Sequence, residues 1–366
     1  MPRHVPSLDG LRAIAVLLVL WQHVPLELPG YPRWLAYAHF WVGPGGLGVE
    51  LFFALSGFLI TRILIAERDA GVPVRWFLLR RLLRIFPIYY LLLVVIAVGQ
   101  PGPGIAWAAL YLGNFAHVFA PGTVPGDLEH TWSLCVEEHF YLLWPLVVAF
   151  TSDRTARRVL LFGAIPVAVL GALSIGLSLP IERANLIIER LSPFRFLTLA
   201  CGALVAFAEP RLRADPRLLL RRGVTSTGAG LLLLPKLWFI VLPFFWLQVA
   251  WWPIELGSTV TRVHLALLCT GLLMLCLLPT RHRFAPQQLL SIAPLRAIGR
   301  ISYGLYLYHL PIFHWLLLPA QQADGVAVAL AVASTFAVAT ASYWLIERPT
   351  LRYAGRFRRA GTQPAT

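Results

Sequence analysis

Charge is scarce in this chain. Only 13% of its 366 residues are Asp, Glu, Lys or Arg, about half of the roughly 25% usual in soluble domains. Acids are scarcer than bases, 17 against 31. There are four cysteines, Cys135, Cys201, Cys269 and Cys276. They include no C-x-x-C pair, so neither a disulfide framework nor a zinc site is indicated. No small-residue cleavage site follows the first apolar run, where Gln22-His23-Val24-Pro25 stands instead. That run is expected to be retained rather than removed as a signal peptide. No internal repeat is visible, so the inverted-repeat signature of many transporters is missing. The formal charge of +14 could suggest a nucleic-acid ligand, but the bases lie between apolar runs, where positive-inside loops place them.

Apolar residues fill the space that charge leaves. At 58% hydrophobic and a mean hydropathy of +0.70, the chain is predicted to be an all-α, polytopic bundle in a membrane. Apolar runs predict ten spans, at 11–28, 47–66, 85–99, 134–151, 159–178, 194–208, 223–246, 262–279, 301–318 and 325–345. The segment 104–119 is expected to be interfacial or re-entrant, because an extra crossing there would invert every later loop. With the N-terminus inside, the inner set is Arg3, Arg12 and the arginines of 62–84, 154–158, 211–222, 281–300 and 348–359. That set holds 25 of the 31 bases. Arg33, Arg183, Arg190, Arg195 and Arg262 fall outside and Lys236 falls within a span. The asymmetry predicts both termini in the cytoplasm.

The stretch from Ser7 to His23, S-L-D-G-L-R-A-I-A-V-L-L-V-L-W-Q-H, organises the rest. Ser7 or Asp9 can cap a helix start, and from Leu11 to Leu20 only Arg12 is polar. Arg12 and His23 would stand about 16 Å apart on one helix at ~1.5 Å per residue. They cannot touch, so a shared task puts them at two ends of one passage. Ionisable groups in a span are functional candidates by default.

Three further stretches carry candidates. In R-W-F-L-L-R-R-L-L-R, Arg80, Arg81 and Arg84 form one basic edge on a helix, suited to phosphate groups or to anchoring on anionic lipid. In D-L-E-H-T-W-S-L-C-V-E-E-H, six ionisable residues crowd thirteen positions. A helix starting near Ser133 carries Glu137 one turn into the membrane, where a partner such as His23 is expected; a His–carboxylate pair can take a proton from a hydroxyl. No metal-ligand spacing such as H-E-x-x-H occurs, and no metal is expected. Ser56-Gly57 reads as small-residue packing. In I-S-Y-G-L-Y-L-Y-H-L-P-I, the tyrosines read as an aromatic belt or a polar pocket, with His309 open between the two.

Taken together, L-D-G-L-R-A-I-A-V, F-F-A-L-S-G-F-L-I, R-R-L-L-R-I-F-P-I-Y-Y, W-S-L-C-V-E-E-H-F-Y-L-L-W-P-L, I-S-Y-G-L-Y-L-Y-H-L-P-I and I-E-R-P resemble the acyltransferase-3 family of membrane-bound O-acyltransferases. The match runs in family order over nearly the whole chain, leaving about 150–290 without a matching motif. The resemblance implies transfer of an acyl group, typically acetyl, from acyl-CoA to a hydroxyl, commonly on a sugar. It places the functional Arg and His of the first helix on Arg12 and His23, the R-x-x-R pair on Arg81 and Arg84, and the acidic position of the W-S-L motif on Glu137. Many members carry Gln where His139 stands and Ser where Cys135 stands. Some carry an extracellular hydrolase-like domain, which is not expected here. The expected organisation is a transmembrane acyltransferase domain over 1–348 and a short basic cytoplasmic tail over 349–366.

On this reading His23 and Glu137 are catalytic. Arg12, Arg80, Arg81 and Arg84 hold acyl-CoA. Asp9, Trp132 and His309 are candidates for contact with the acceptor. His23 would act as general base, with an acyl-histidine intermediate as the other route. The expected partners are the lipid bilayer, acyl-CoA and a sugar or glycoside, not nucleic acid, and the expected location is the cell membrane. Two other classes stay open: a proton-coupled transporter using the same His/Glu pair, and a non-catalytic protein whose basic loops bind lipid headgroups.

Overall fold

The computed structural model describes residues 4–24, 46–214, 254–278, 285–317 and 325–357. Among these residues every regular element is helical. The helices are α1 (Pro6–Gln22), α2 (Gly46–Asp69), α3 (Val74–Gly99), α4 (Pro103–Ala109), α5 (Gly113–Phe119), α6 (Trp132–Phe150), α7 (Asp153–Val159) and α8 (Ile165–Ser178). They continue with α9 (Ile181–Arg190), α10 (Ser192–Ala214), α11 (Ile254–Leu277), α12 (Ala293–Arg300), α13 (Ser302–Leu317), α14 (Gly325–Ser342) and α15 (Arg348–Ala354). A tight turn of 3₁₀ helix, Gly126–Thr131, leads into α6.

Seven stretches among the described residues are long and apolar enough to cross a bilayer: Gly46–Asp69, Val74–Gly99, Gly126–Phe150, Asp153–Ser178, Ser192–Leu212, Ser258–Leu277 and Gly325–Ala354. The predicted span 223–246 lies outside the described residues, as do 25–28 and 358–366. The stretches 11–28 and 301–318 correspond to α1 and α13, helices of 17 and 16 residues. Segment 104–119 forms two seven-residue helices, α4 and α5. At ~1.5 Å per residue each is about 10 Å long, far short of a crossing.

Two boundaries differ from expectation. The basic segment before the third span is not a loop. Leu and Arg are good helix formers, and one helix of 26 residues runs from Val74 to Gly99 with Pro87 inside it. At the start of α1, Ser7 does not cap: its hydroxyl donates to the Cys276 carbonyl at 3.0 Å, and the helix begins at Pro6.

The chain divides into two compact units. The first comprises Met1–Leu8, Glu50–Ala66 and Val136–Ile292. In it α2 crosses α10 at two glycines. A Cβ on Gly57 would collide with the Leu199 carbonyl, and one on Gly202 with the Ala54 carbonyl, so only glycine permits this approach. Glu50, 1% exposed, accepts from the Thr198 hydroxyl and pairs with Arg195 at 2.9 Å and Arg262 at 3.4 Å. Arg262 also reaches Glu189 at 2.7 Å. Two of the arginines that fall outside the inner set, Arg195 and Arg262, are thus ion-paired. All four cysteines are free thiols, three of them buried.

The second unit comprises Asp9–Val49, Glu67–Cys135 and Ala293–Thr366. The Tyr89 and Tyr90 hydroxyls tie α3 to the Ala108 and Ala109 carbonyls at the end of α4, each at 2.8 Å. α13 packs against α14, with Gly304 against Ala339 and Tyr308 bonded to Ser342 at 2.9 Å. The described part of the tail is helical: α15 packs on α3, and Phe357 stacks on Trp76 at 5.3 Å between ring centres.

Candidate functional site

His23 closes the last turn of α1. Its Nδ1 lies 2.9 Å from the Val19 carbonyl, one turn back. A carbonyl can only accept, so Nδ1 carries the hydrogen and the ring's lone pair is on Nε2. The same nitrogen lies 3.3 Å from Nε2 of His309 on α13, and the two rings meet edge to face at 4.8 Å. His309 is fully buried and its own Nδ1 donates to the Tyr306 carbonyl at 2.6 Å.

A third imidazole completes the group. His130, from the tight turn before α6, is 3% exposed, and its ring sits 4.9 Å from that of His309. Its Nε2 donates to the Leu307 carbonyl at 3.1 Å. That carbonyl is available for a local reason. Pro311 lies within α13 and has no N–H for the carbonyl four residues back, which is that of Leu307. His130 Nδ1 is buried without a hydrogen-bond partner among the described residues.

The turn holding His130 is stitched to α13 along its length. The Tyr306 hydroxyl donates to the His130 carbonyl at 2.9 Å and meets the Ser133 hydroxyl. Asp127, 3% exposed, accepts from His314 at 2.7 Å, Trp315 at 2.8 Å and Gln100 at 2.9 Å. Two of the three tyrosines of α13 therefore do not belong to a belt: Tyr306 and Tyr308 are buried and their hydroxyls are spent on interior bonds.

Glu137 belongs to the first unit, one turn and a half into α6. Its carboxylate accepts from the Ser56 hydroxyl at 2.9 Å and the Tyr141 hydroxyl at 2.6 Å. Tyr141 also donates to Ser56 at 3.0 Å. Ser56 is thus a hydrogen-bond donor in a carboxylate nest, not simply a small packing residue. His139, on the same helix, is 2.6 Å from the Ser192 hydroxyl. Trp132 opens α6 and is half-buried.

The arginines divide by partner. Arg80 is ion-paired with the buried Glu67, which neutralises its charge. Arg84 lies close enough for its charge to act on the buried Glu347 of the I-E-R-P motif. Arg81 and Arg84 follow Arg80 on the same helix, α3. Arg12 stands 3.9 Å from Asp9, three residues earlier on α1. Among the described residues no group of three or more His, Cys, Asp or Glu side chains is arranged to hold a metal ion.

Sequence reasoning singled out His23, His309 and Glu137, but passed over His130, Asp127, Ser56 and Tyr141 as site residues. For His130 and Asp127 the signal present was their place in the crowded D-L-E-H stretch. For Tyr141 the signal present was its place four residues after Glu137 on the same helix; for Ser56 nothing in its own segment pointed to this carboxylate.

A membrane-associated helical chain with a buried imidazole group and a hydroxyl-bound carboxylate fits an acyltransferase. A family model described as an acyltransferase domain matches residues 5–347, and the chain belongs to that family, acyltransferase-3. It is similar to the peptidoglycan O-acetyltransferase OatA of Listeria monocytogenes, 28% identical over 369 aligned residues that cover 95% of this chain and 56% of the relative. It is also similar to the O-acetyltransferase OatA of Staphylococcus aureus, 30% identical over 336 residues, 85% of this chain and 51% of the relative. The chain therefore spans about half the length of these relatives. No solved structure gives a significant match.

Proposed function

We propose that this protein is a membrane-embedded O-acetyltransferase that moves an acetyl group from acetyl-CoA to a sugar hydroxyl of a cell-surface glycan. The observation that carries the reading is the similarity to O-acetyltransferases along nearly the whole chain. A glycan of the peptidoglycan type is the first acceptor to test, because one relative is named for it. The proposed topology has ten spans and both termini in the cytoplasm, supported by the 25 of 31 bases that fall in the inner set.

In the proposed reaction Nε2 of His23 takes the proton of the acceptor hydroxyl. The oxygen attacks the thioester carbonyl, the C–O bond forms, the C–S bond breaks, and the departing thiolate recovers the proton from the imidazolium. Glu137, with its carboxylate held by two hydroxyls, is proposed as the acidic partner required for turnover. Arg81 and Arg84 are proposed to bind the phosphates of acetyl-CoA from the cytoplasmic side, with Arg12 guiding the pantetheine arm. Asp9 and Trp132 are proposed as acceptor contacts.

The test uses the full chain in liposomes with acetyl-CoA and a panel of glycans, following release of the CoA thiol and formation of an acetyl ester by mass spectrometry. Acceptor-dependent release is expected. Solute uptake into sealed vesicles without thiol release would instead support the transporter reading.

The arginine assignment has its own expected result. Arg81→Gln with Arg84→Gln should weaken acetyl-CoA binding by roughly 1.5–3 kcal/mol per residue, the worth of a hydrogen bond to a charged group. Equilibrium binding of a fluorescent CoA analogue measures it. Unchanged affinity in a protein that still inserts would return both residues to lipid anchoring.

A further inference from the structure

Resting on the proposal that His23 is the base, we infer that His309 is the residue that positions it, fixing the hydrogen of His23 on Nδ1 so that Nε2 is the basic nitrogen. The chain of donors runs one way. His309 Nδ1 donates to the Tyr306 carbonyl at 2.6 Å. His309 is fully buried, and in the neutral ring the other nitrogen, Nε2, is then an acceptor. It lies 3.3 Å from His23 Nδ1, so the hydrogen between them belongs to His23. The Val19 carbonyl, 2.9 Å from that same nitrogen, requires the same answer. Two acceptors on different helices thus converge on one N–H.

The arrangement does for His23 what a carboxylate does for the base of a hydrolytic triad, but with neutral groups. When Nε2 takes a proton, the Nδ1–H becomes a charge-assisted donor and its bond to His309 strengthens. His309 therefore favours the imidazolium as well as the tautomer. Its own orientation is set from behind: the helix carbonyl holds its Nδ1, and the ring of His130, itself anchored on the carbonyl that Pro311 releases, lies against it edge to face at 4.9 Å. A hydrogen bond made only as charge develops acts on turnover and not on donor binding.

Two polar replacements separate this role from packing. His309→Gln can place an amide oxygen where Nε2 stood and keep the acceptor. His309→Asn can keep a donor near the Nδ1 position but cannot reach His23. In the liposome assay, His309→Asn should lower kcat by about 10- to 100-fold, the worth of one charge-assisted bond. KM for acetyl-CoA should stay unchanged, and the acid limb of the kcat profile should move to lower pH because the imidazolium has lost support. His309→Gln should recover most of kcat. Equal losses in both variants, or wild-type kcat and pH profile in His309→Asn, would overturn the positioning role. Solid-state ¹⁵N spectra of histidine-labelled wild-type protein give a check independent of folding in the variants: His23 should carry its hydrogen on Nδ1, and hydrogen on Nε2 would overturn the inference. An active His23→Ala protein would instead remove the proposal on which the inference rests.

Discussion

Replacing His23 by alanine is expected to lower acetyl transfer by about 10²–10⁴-fold, the usual contribution of a positioned general base. Binding of acetyl-CoA should survive, because the proposed phosphate contacts are made by arginines of α3 and not by α1's last turn. The loss should therefore appear in kcat. Structural damage is expected to be small, since His23 is only half-buried and ends its helix instead of packing within it. Both routes of transfer, direct attack and an acyl-histidine, need the imidazole, so rapid-quench trapping of an acetylated wild-type protein separates them. A folded His23→Ala protein turning over at more than about a tenth of the normal rate is incompatible with either role.

The largest effect on stability is expected at Arg195. Its guanidinium lies over the Phe53 ring at 5.2 Å and pairs with Glu50, with both side chains buried. Arg195→Met removes one charge and leaves the other behind. Breaking a buried pair in this way costs about 3–5 kcal/mol, and Arg262, already 3.4 Å from Glu50, keeps the figure toward the lower end. Combining Glu50→Gln with Arg195→Met should be less damaging than the sum of the two, because no uncompensated charge then remains. Thermal unfolding in detergent reads both numbers. An Arg195→Met protein as stable as wild type would show that the pair contributes nothing.

The helices were legible because apolar runs in a bilayer leave the backbone one economical solution, with its hydrogen bonds closed inside each segment. The helical edge of Arg80, Arg81 and Arg84 was legible from its spacing, but the apolar run alone did not show that the same helix starts at Val74. His23 and Glu137 could be singled out as candidates because an ionisable group stands out in an apolar run. Their partners from other helices could not. His309 lies 286 positions from His23, and Ser56 lies 81 from Glu137. His130 was harder still. Its anchoring depends on a carbonyl 177 residues away that is available only because a proline follows it by four positions. Arg195 and Arg262 looked like exceptions to a charge rule until Glu50, which is distant in sequence, explained them.

The separation between His23 and His309 also sets an order of assembly. α1 leaves the ribosome well before α13. At roughly 5–20 residues per second, the intervening 286 residues take on the order of 15–60 s to synthesise. Throughout that interval the bond from His23 to His309 cannot yet exist. The helix that carries the proposed base is thus made well before the helix that holds its ring, so a ribosome that stalls before α13 leaves the proposed base without the imidazole inferred to position it.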